Sequence, residues 1–136
     1  MKYWLIKSEP IKYPWEQLVK DGKATWDGVR NYRARNNLRE MKKGDKLLFY
    51  HSNEGLEIVG IAEVLKEHFQ DPTTKEIAWL AVEIKPFKKL KNPVTLAYIK
   101  TDAKLSKMEL IRLARLSVSE ATEAEYSHIC KLGGIK

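Results

Sequence analysis

The chain has 136 residues, 43% of them hydrophobic, and a formal net charge of +7. This length fits one domain, and the hydrophobic content excludes a disordered chain. No apolar run reaches the roughly 20 residues of a membrane span, and the apolar block near the N-terminus is too short for a signal peptide. The lone Cys130 excludes a disulfide framework and a cysteine-based metal cluster. We therefore expect one cytoplasmic, monomeric domain over residues 1–136.

Most of the positive charge lies in two segments. Residues 30–46 hold seven basic and two acidic side chains, and residues 85–91 hold four lysines and no acid. A basic surface attracts polyanions such as nucleic acid, but a positively charged face can equally serve solubility alone. Charge therefore permits nucleic-acid binding without requiring it.

A buried strand and a short helix are predicted first. YWLI (residues 3–6) is apolar at every position, which is typical of a strand inside a sheet. PWEQLVKDG (residues 14–22) begins with a proline and ends with a glycine, as helices often do. Its apolar side chains follow helical spacing and are predicted to be buried: Trp15, Leu18 and Val19.

A second helix is predicted after a turn at residues 27–28. Ala34, Leu38 and Met41 recur at helical spacing, and Gly44 closes the segment. The other face of this helix carries positive charge, from Arg35, Arg39 and Lys42.

Three strands joined by short turns are expected next. They are DKLLFYHS (residues 45–52), LEIVGIAEVLKEHF (residues 56–69), where Gly60 predicts a bulge or bend, and IAWLAVEIK (residues 77–85). Short turns predict an antiparallel meander, and strands bent in this way usually curl into a barrel. The predicted fold class is α+β, a small curved β-barrel with flanking helices.

The last third is predicted to hold three helices and one strand. PVTLAYIKTD (residues 93–102) is expected to contain a short helix after Thr95, and SKMELIRLARLSVS (residues 106–119) a helix that leads into a strand. In TEAEYSHICKLGG (residues 122–134), a threonine and a glutamate three residues apart form a capping box, and glycine ends the helix.

The sequence shows no metal or nucleotide cofactor site. His51, His68 and His128 lack a second ligand at the spacing of a convincing metal site. No glycine-rich segment has the spacing of a phosphate-binding loop. We therefore expect no cofactor.

A hydrolytic triad is not supported either. Ser8 or Ser52 could be combined with His51 and Asp27, but neither serine lies in a nucleophile elbow. Side chains that hydrogen-bond the backbone or a ligand are the simpler interpretation. His51 and Ser52 end a predicted strand, where polar groups can contact a ligand in the mouth of a barrel.

Trp26 lies in a polar loop beside arginines and asparagines, in ATWDGVRNYRARNN (residues 24–37). No apolar residue at helical or strand spacing explains it as a core residue. Stacking of a nucleobase on an aromatic ring is worth about 1–3 kcal/mol, and a nearby asparagine can read the polar edge of the base. The alternative is a tryptophan that only covers the core.

Five motifs resemble the EVE domain family: YWLIKSEP (residues 3–10), WDGVRNYRARN (26–36), FYHS (49–52), VGIAEV (59–64) and RLSV (115–118). The resemblance runs from the first residue to about residue 130. It implies a PUA-like fold, related to the YTH domain that reads methylated adenine in RNA. It also implies binding without catalysis.

EVE domains read modified bases, chiefly modified cytosines in DNA, and some are suggested to act on RNA. The resemblance thus implies a reader of C5-modified cytosine. Carried over by position, the base pocket would comprise Trp26, Asn31, Ser8, His51 and Ser52, with Trp79, Trp4, Tyr50 and Arg115 as further candidates. Flanking phosphates would contact Arg30, Arg33, Arg35, Arg39 and Lys42.

Two departures from the family pattern stand out. Arg33 replaces the glutamine of the common YQARN, which adds a charge for phosphate contact, and QDPTTKEIAWL (residues 70–80) is shorter than the corresponding loop of many relatives.

Other functions stay open. They are RNA-modification-related binding, an enzyme on nucleic acid or a modified nucleotide with Asp27 or His51 as acid or base, and a module whose basic helix docks an acidic protein.

Overall fold

A computed structural model describes residues 1–135, which form six strands and five helices. The strands are β1 (Tyr3–Ser8), β2 (Ala24–Trp26), β3 (Lys46–His51), β4 (Glu57–Gln70), β5 (Leu80–Thr95) and β6 (Val118–Ala121). The helices are α1 (Trp15–Asp21), α2 (Tyr32–Glu40), α3 (Leu96–Thr101), α4 (Glu109–Arg112) and α5 (Glu123–Leu132). No helix in residues 1–135 has both the length and the apolar character needed to cross a membrane. The mixture confirms the predicted α+β class.

All six strands form one sheet in the order β2-β5-β4-β3-β1-β6. β1 lies inside the sheet, as predicted, and runs parallel to β3 and antiparallel to β6. β3, β4 and β5 form the predicted antiparallel meander. Within residues 1–135 the sheet ends at β2 and at β6, so the closed barrel is not confirmed.

Both faces of the sheet are buried. Trp4 and Ile6 of β1 belong to one hydrophobic cluster, together with residues of α1 and α2. Leu5, between them in the chain, belongs to a second cluster with residues of α3, α4 and α5. Successive side chains of a strand point to opposite faces, so a strand covered by helices on both sides is apolar throughout. This is why YWLI reads as a continuous apolar run.

Several boundaries and the burial of one residue differ from the sequence prediction. β5 begins at Leu80 and continues to Thr95, because β4 is itself 14 residues long and offers partners along that length. Helix α4 has only four residues, and Val118 starts the last strand. Val19 is 52% exposed, so the prediction that it is buried is wrong, because short α1 buries only Trp15 and Leu18.

Gly60 produces the predicted irregularity in β4. The pairing register shifts between Ile58 and Gly60 against β5, and between Phe49 and Tyr50 against β3. A Cβ atom at Gly60 would lie 2.8 Å from the indole of Trp15. Glycine therefore lets the first residue of α1 pack directly on the backbone of β4.

A buried carboxylate anchors the connection between β2 and α2. Asp71, which has no exposed surface, accepts hydrogen bonds from the backbone N–H of Gly28 and from Nη1 of Arg30, both at 2.8 Å. Thr73 donates to the same carboxylate from its backbone N–H and its hydroxyl. Burial alone would raise the pKa of Asp71, but these hydrogen bonds outweigh it and hold the pKa well below its usual range.

We expect Gly60→Ala to lower the free energy of unfolding by about 1–3 kcal/mol, because the new methyl group overlaps the indole of Trp15. Urea denaturation measures the change. Combined with Trp15→Phe, the glycine substitution should cost less than it does alone, since the smaller ring leaves room. An unchanged unfolding midpoint for Gly60→Ala would contradict this contact.

Asp71→Asn should lower the free energy of unfolding by roughly 2–4 kcal/mol at neutral pH, because Arg30 loses its charged partner in a buried site. A carboxyl whose pKa is lowered by folding adds stability above its unfolded pKa, and this stability declines as the pH falls through the folded pKa. Below about pH 4, the free energy of unfolding of the variant should therefore change less with pH than that of the wild-type chain. Glu40→Gln, at an exposed carboxylate, is the control.

Candidate functional site

An open pocket of about 470 Å³ lies where β1 ends and β2 passes beside it. We call it the main pocket. Two segments line it, one with Lys7, Ser8, Glu9, Lys12 and Tyr13, and one with Ala24, Thr25, Trp26, Asp27 and Gly28. Of the predicted base-pocket residues, Ser8 and Trp26 lie on its wall.

Trp26 is half-buried between the core and the main pocket. Its indole packs edge-on against Phe49, with ring centroids 5.7 Å apart, and against Tyr13 at 6.0 Å. Trp26 therefore both covers the core and lines the pocket, so the two alternatives from sequence are compatible. Its neighbours fix the orientation of the ring before any ligand binds.

Ser8 and Tyr13 join the two ends of the first pocket segment. The hydroxyl of Ser8 donates to the carbonyl oxygen of Tyr13 at 2.5 Å, and the phenol of Tyr13 donates to Asp21 at 2.9 Å. Burial, together with the carboxylate of Asp21, raises the pKa of Tyr13 to about 12. The phenol thus stays protonated, and its donor is engaged within the protein.

His51 and Ser52 lie next to Ser8 but not on the pocket wall. Ser8 and His51 are paired in register, and the backbone N–H of Ser52 donates to the carbonyl of Ser8 at 2.9 Å. Nε2 of His51 accepts a hydrogen bond from the backbone N–H of Trp15 at 3.0 Å, so it is unprotonated. Burial lowers the pKa of His51, which favours that form. The histidine stabilises the start of α1.

Three aromatic candidates lie away from the main pocket. Trp4 is 1% exposed in the core, and its indole N–H donates to Asp45 at 3.0 Å. Tyr50 is 2% exposed and belongs to the cluster on the other face of the sheet. Trp79 stacks on Tyr32, with ring centroids 4.9 Å apart. These three rings therefore pack within the protein. Their positions in the sequence did not show whether they would pack there or contact a ligand.

Asn31 and Arg115 line a second, smaller pocket of about 320 Å³. The side-chain oxygen of Asn31 accepts from the backbone N–H of Ala34 at 3.0 Å and so caps α2. Asparagine is a favoured residue at this position for that reason. Although Asn31 follows Trp26 closely in the chain, the structure does not place both on one pocket.

The predicted phosphate-binding side chains divide into two groups. Three have partners within the protein: Arg30 with Asp71, Arg33 with Glu109 at 3.5 Å, and Arg35 with the carbonyl of Ala78 at 2.6 Å. Arg39 and Lys42 are exposed, and within residues 1–135 neither forms an ion pair.

The sequence prediction missed the pocket residues Lys7, Tyr13 and Thr25, and it considered Asp27 only for an enzyme. Lys7 and Asp27 lie inside the motifs that hold Ser8 and Trp26, and this position was the available signal. Lys7 donates to the carbonyl of Ala114 at 2.6 Å, and burial lowers its pKa. Burial raises the pKa of Asp27, and the nearby charge of Asp71 adds to this effect.

The part of the chain that the structure describes shows no group of three metal-binding side chains. The lining of the main pocket can instead stack a planar ring on Trp26 and offer hydrogen-bond donors and acceptors around it.

Two solved structures that contain nucleic acid are similar to this chain. Human THYN1 protein, solved in complex with DNA containing 5-methylcytosine, is 31% identical, covers 100% of this chain and 99% of its own, and has a TM-score of 0.90. A YTH domain of Zygosaccharomyces rouxii, solved with N6-methyladenosine RNA, has a TM-score of 0.60 at 16% identity over 97% of this chain and 86% of that one. The second similarity shows a shared fold.

Two further relatives match nearly the whole chain. A crystal structure from Agrobacterium tumefaciens is 47% identical, with a TM-score of 0.97 over 99% of this chain and 94% of that one. Thymocyte nuclear protein 1 of Mus musculus is 35% identical, over 96% of this chain and 73% of that protein. The family model for the EVE domain matches residues 2–132. The chain therefore belongs to the EVE domain family.

Proposed function

We propose that this protein binds nucleic acid by holding one extruded, modified base in the main pocket, and that the base is a C5-modified cytosine in DNA. The observation that carries the proposal is Trp26, an oriented indole on the wall of an open pocket. The volume falls within the range of small-molecule sites, about 300–1,000 Å³. The human relative solved with 5-methylcytosine DNA supports the choice of ligand.

Stacking on Trp26 supplies the base-independent part of the affinity. Edge-on contacts with Tyr13 and Phe49 hold the indole, so little conformational freedom is lost when a base stacks on it. Extrusion from a duplex costs unstacking and unpairing energy, so a single-stranded or mismatched site binds most readily.

The polar edge of the base meets Ser8, Lys7 and residues 25–27 in this proposal. Asn31 and His51, which the sequence suggested for that role, are engaged in holding α2 and α1. The C5 substituent lies against the apolar part of the lining, to which Ala24 and Tyr13 contribute. A methyl group in an apolar pocket adds only about 1–3 kcal/mol.

Phosphate contacts come from the exposed basic side chains of residues 33–42, with Arg39 and Lys42 foremost because they have no internal ion-pair partner in residues 1–135. Such contacts raise affinity for any sequence and make it depend on salt. They position the strand without reading it.

We propose binding without chemical change to the ligand. One of the two acid–base groups that an enzyme would use, His51, bonds to the start of α1 and lies off the pocket wall. Mass analysis of a 5-methylcytosine oligonucleotide after prolonged incubation distinguishes the two functions, since an altered mass would favour an enzyme.

Trp26→Ala should weaken binding of a 5-methylcytosine oligonucleotide by about 5- to 150-fold, because a stacking contact worth 1–3 kcal/mol is lost. Fluorescence anisotropy with modified and unmodified oligonucleotides measures the effect. Trp26→Phe should retain part of the affinity, and Tyr98→Ala, at an exposed ring on α3, should change nothing. An unchanged affinity for the 5-methylcytosine oligonucleotide in Trp26→Ala would count against a base pocket at Trp26.

Replacing Arg39 and Lys42 with alanine should weaken modified and unmodified oligonucleotides alike. The slope of log affinity against log salt concentration should fall by about one for each phosphate contact removed. Lys100→Ala, on α3, serves as the control for a lost surface charge. An unchanged slope in the double variant would place the phosphate contacts elsewhere.

A further inference from the structure

Stacking and apolar contact cannot separate 5-methylcytosine from thymine. Both bases present the same planar ring and the same C5 methyl group. At position 4 cytosine has an amino group that donates hydrogen bonds and thymine has an oxygen that accepts them, and N3 accepts in cytosine but carries a donating N–H in thymine. A group that only accepts, placed at position 4, therefore favours a C5-modified cytosine over thymine.

The hydroxyl groups of the main pocket do not meet this requirement. A hydroxyl can both donate and accept, so Thr25 can satisfy either base by rotating its O–H bond, and Ser8 can do so by giving up its hydrogen bond to the carbonyl of Tyr13. Tyr13 has its phenol engaged with Asp21. Lys7 has an ammonium group, which only donates and so favours the oxygen of thymine.

Two carboxylates line the main pocket, Glu9 and Asp27, and an ionised carboxylate only accepts. Glu9 already pairs with Lys12 at 3.3 Å. The side chain of Asp27 forms no ion pair within residues 1–135 and follows Trp26 directly in the chain. Asp27 also lines the same pocket as Trp26, the ring on which a base would stack.

The surroundings of Asp27 favour a ligand that donates hydrogen bonds. Gly28, the next residue, is fixed by its hydrogen bond to Asp71, so the backbone that carries Asp27 is anchored. Burial and the charge of Asp71 raise the pKa of Asp27, whereas its own backbone N–H and the charge of Arg30 act to lower it. An N–H donor from a ligand would add a partner to a carboxylate that forms no ion pair within residues 1–135.

We propose that Asp27 sets the base identity of the main pocket, its carboxylate accepting a hydrogen bond from the N4 amino group of a cytosine stacked on Trp26. Thymine is rejected because its O4 meets the carboxylate oxygen with two acceptors facing each other. This inference rests on the proposed function and adds to it the residue that chooses between two methylated pyrimidines.

The test uses single-stranded oligonucleotides that are identical except for one central base, which is 5-methylcytosine, cytosine or thymine. Dissociation constants are measured by anisotropy for the wild-type chain, Asp27→Asn, Asp27→Ala and Glu9→Gln. Glu9→Gln is the matched control, since it removes the other carboxylate of the same pocket. Thermal unfolding of each variant checks that the fold is intact.

In the wild-type chain we expect 5-methylcytosine to bind more tightly than thymine. Asp27→Asn should lower that ratio by about 10- to 150-fold, because an amide can turn its N–H towards the O4 of thymine. Asp27→Ala should also lower it, because 5-methylcytosine loses a hydrogen bond and the O4 of thymine no longer faces a carboxylate oxygen. Glu9→Gln should leave the ratio unchanged.

The possible failures are distinguishable. If the wild-type chain binds all three oligonucleotides equally, the proposed function fails, and the role of Asp27 fails with it. If the wild-type chain separates 5-methylcytosine from thymine and Asp27→Asn keeps the same ratio, only the role of Asp27 is overturned. A changed ratio in Glu9→Gln with none in Asp27→Asn would move that role to Glu9.

Discussion

The buried carboxylate of Asp71 is the contact on which the geometry of the main pocket depends. It joins two connections that are far apart in the chain, because Gly28 and Arg30 donate to it from one connection and Thr73 from its own. Burying a charge is costly unless hydrogen bonds compensate it, so this carboxylate holds its donors firmly. Trp26 and Asp27 directly precede Gly28, and their position follows from this anchor.

The other wall of the pocket depends on the parallel pairing of β1 and β3. Because parallel strands end at the same edge of a sheet, Ser8 and His51 lie side by side there. His51 then accepts from the first N–H of α1, and Trp15 packs on the backbone at Gly60. The chain between β1 and α1 is thereby held in a turn whose Tyr13 carbonyl bonds to Ser8. Direct contacts therefore connect the pairing of β1 with β3, the start of α1 and the wall of the main pocket.

The polar side chains considered for binding differ chiefly in whether the protein itself satisfies them. Arg30, Asn31 and His51 form hydrogen bonds that hold loops and helix ends. Asp27, Arg39 and Lys42 are exposed, and none of them forms an ion pair in residues 1–135. Charged groups of the second kind are available to a ligand, which is the physical basis for assigning them to binding and the first kind to structure.

The sequence by itself determined the features that arise from neighbouring residues. Helical spacing indicated α1 and α2, glycine indicated the end of α1, the capping box at Thr122 indicated α5, and continuous apolar character indicated that β1 is buried. The motifs resembling the EVE family also came from sequence. Gly60 indicated the irregularity in β4, because a glycine inside a predicted strand favours a bulge or a bend.

Only the tertiary structure decided which residues share a pocket. Asn31 lies five residues after Trp26 but caps a helix, while Tyr13 and Asp27 are distant in the chain and line one pocket. Arg30, predicted to bind phosphate, pairs with Asp71, which is 41 residues away in the chain. Trp4 and Trp26 are both tryptophans near polar motifs, yet one is core and the other is pocket. Short-range patterns determine helices and strands, whereas the partner of a polar or aromatic side chain depends on long-range packing, which no local pattern encodes.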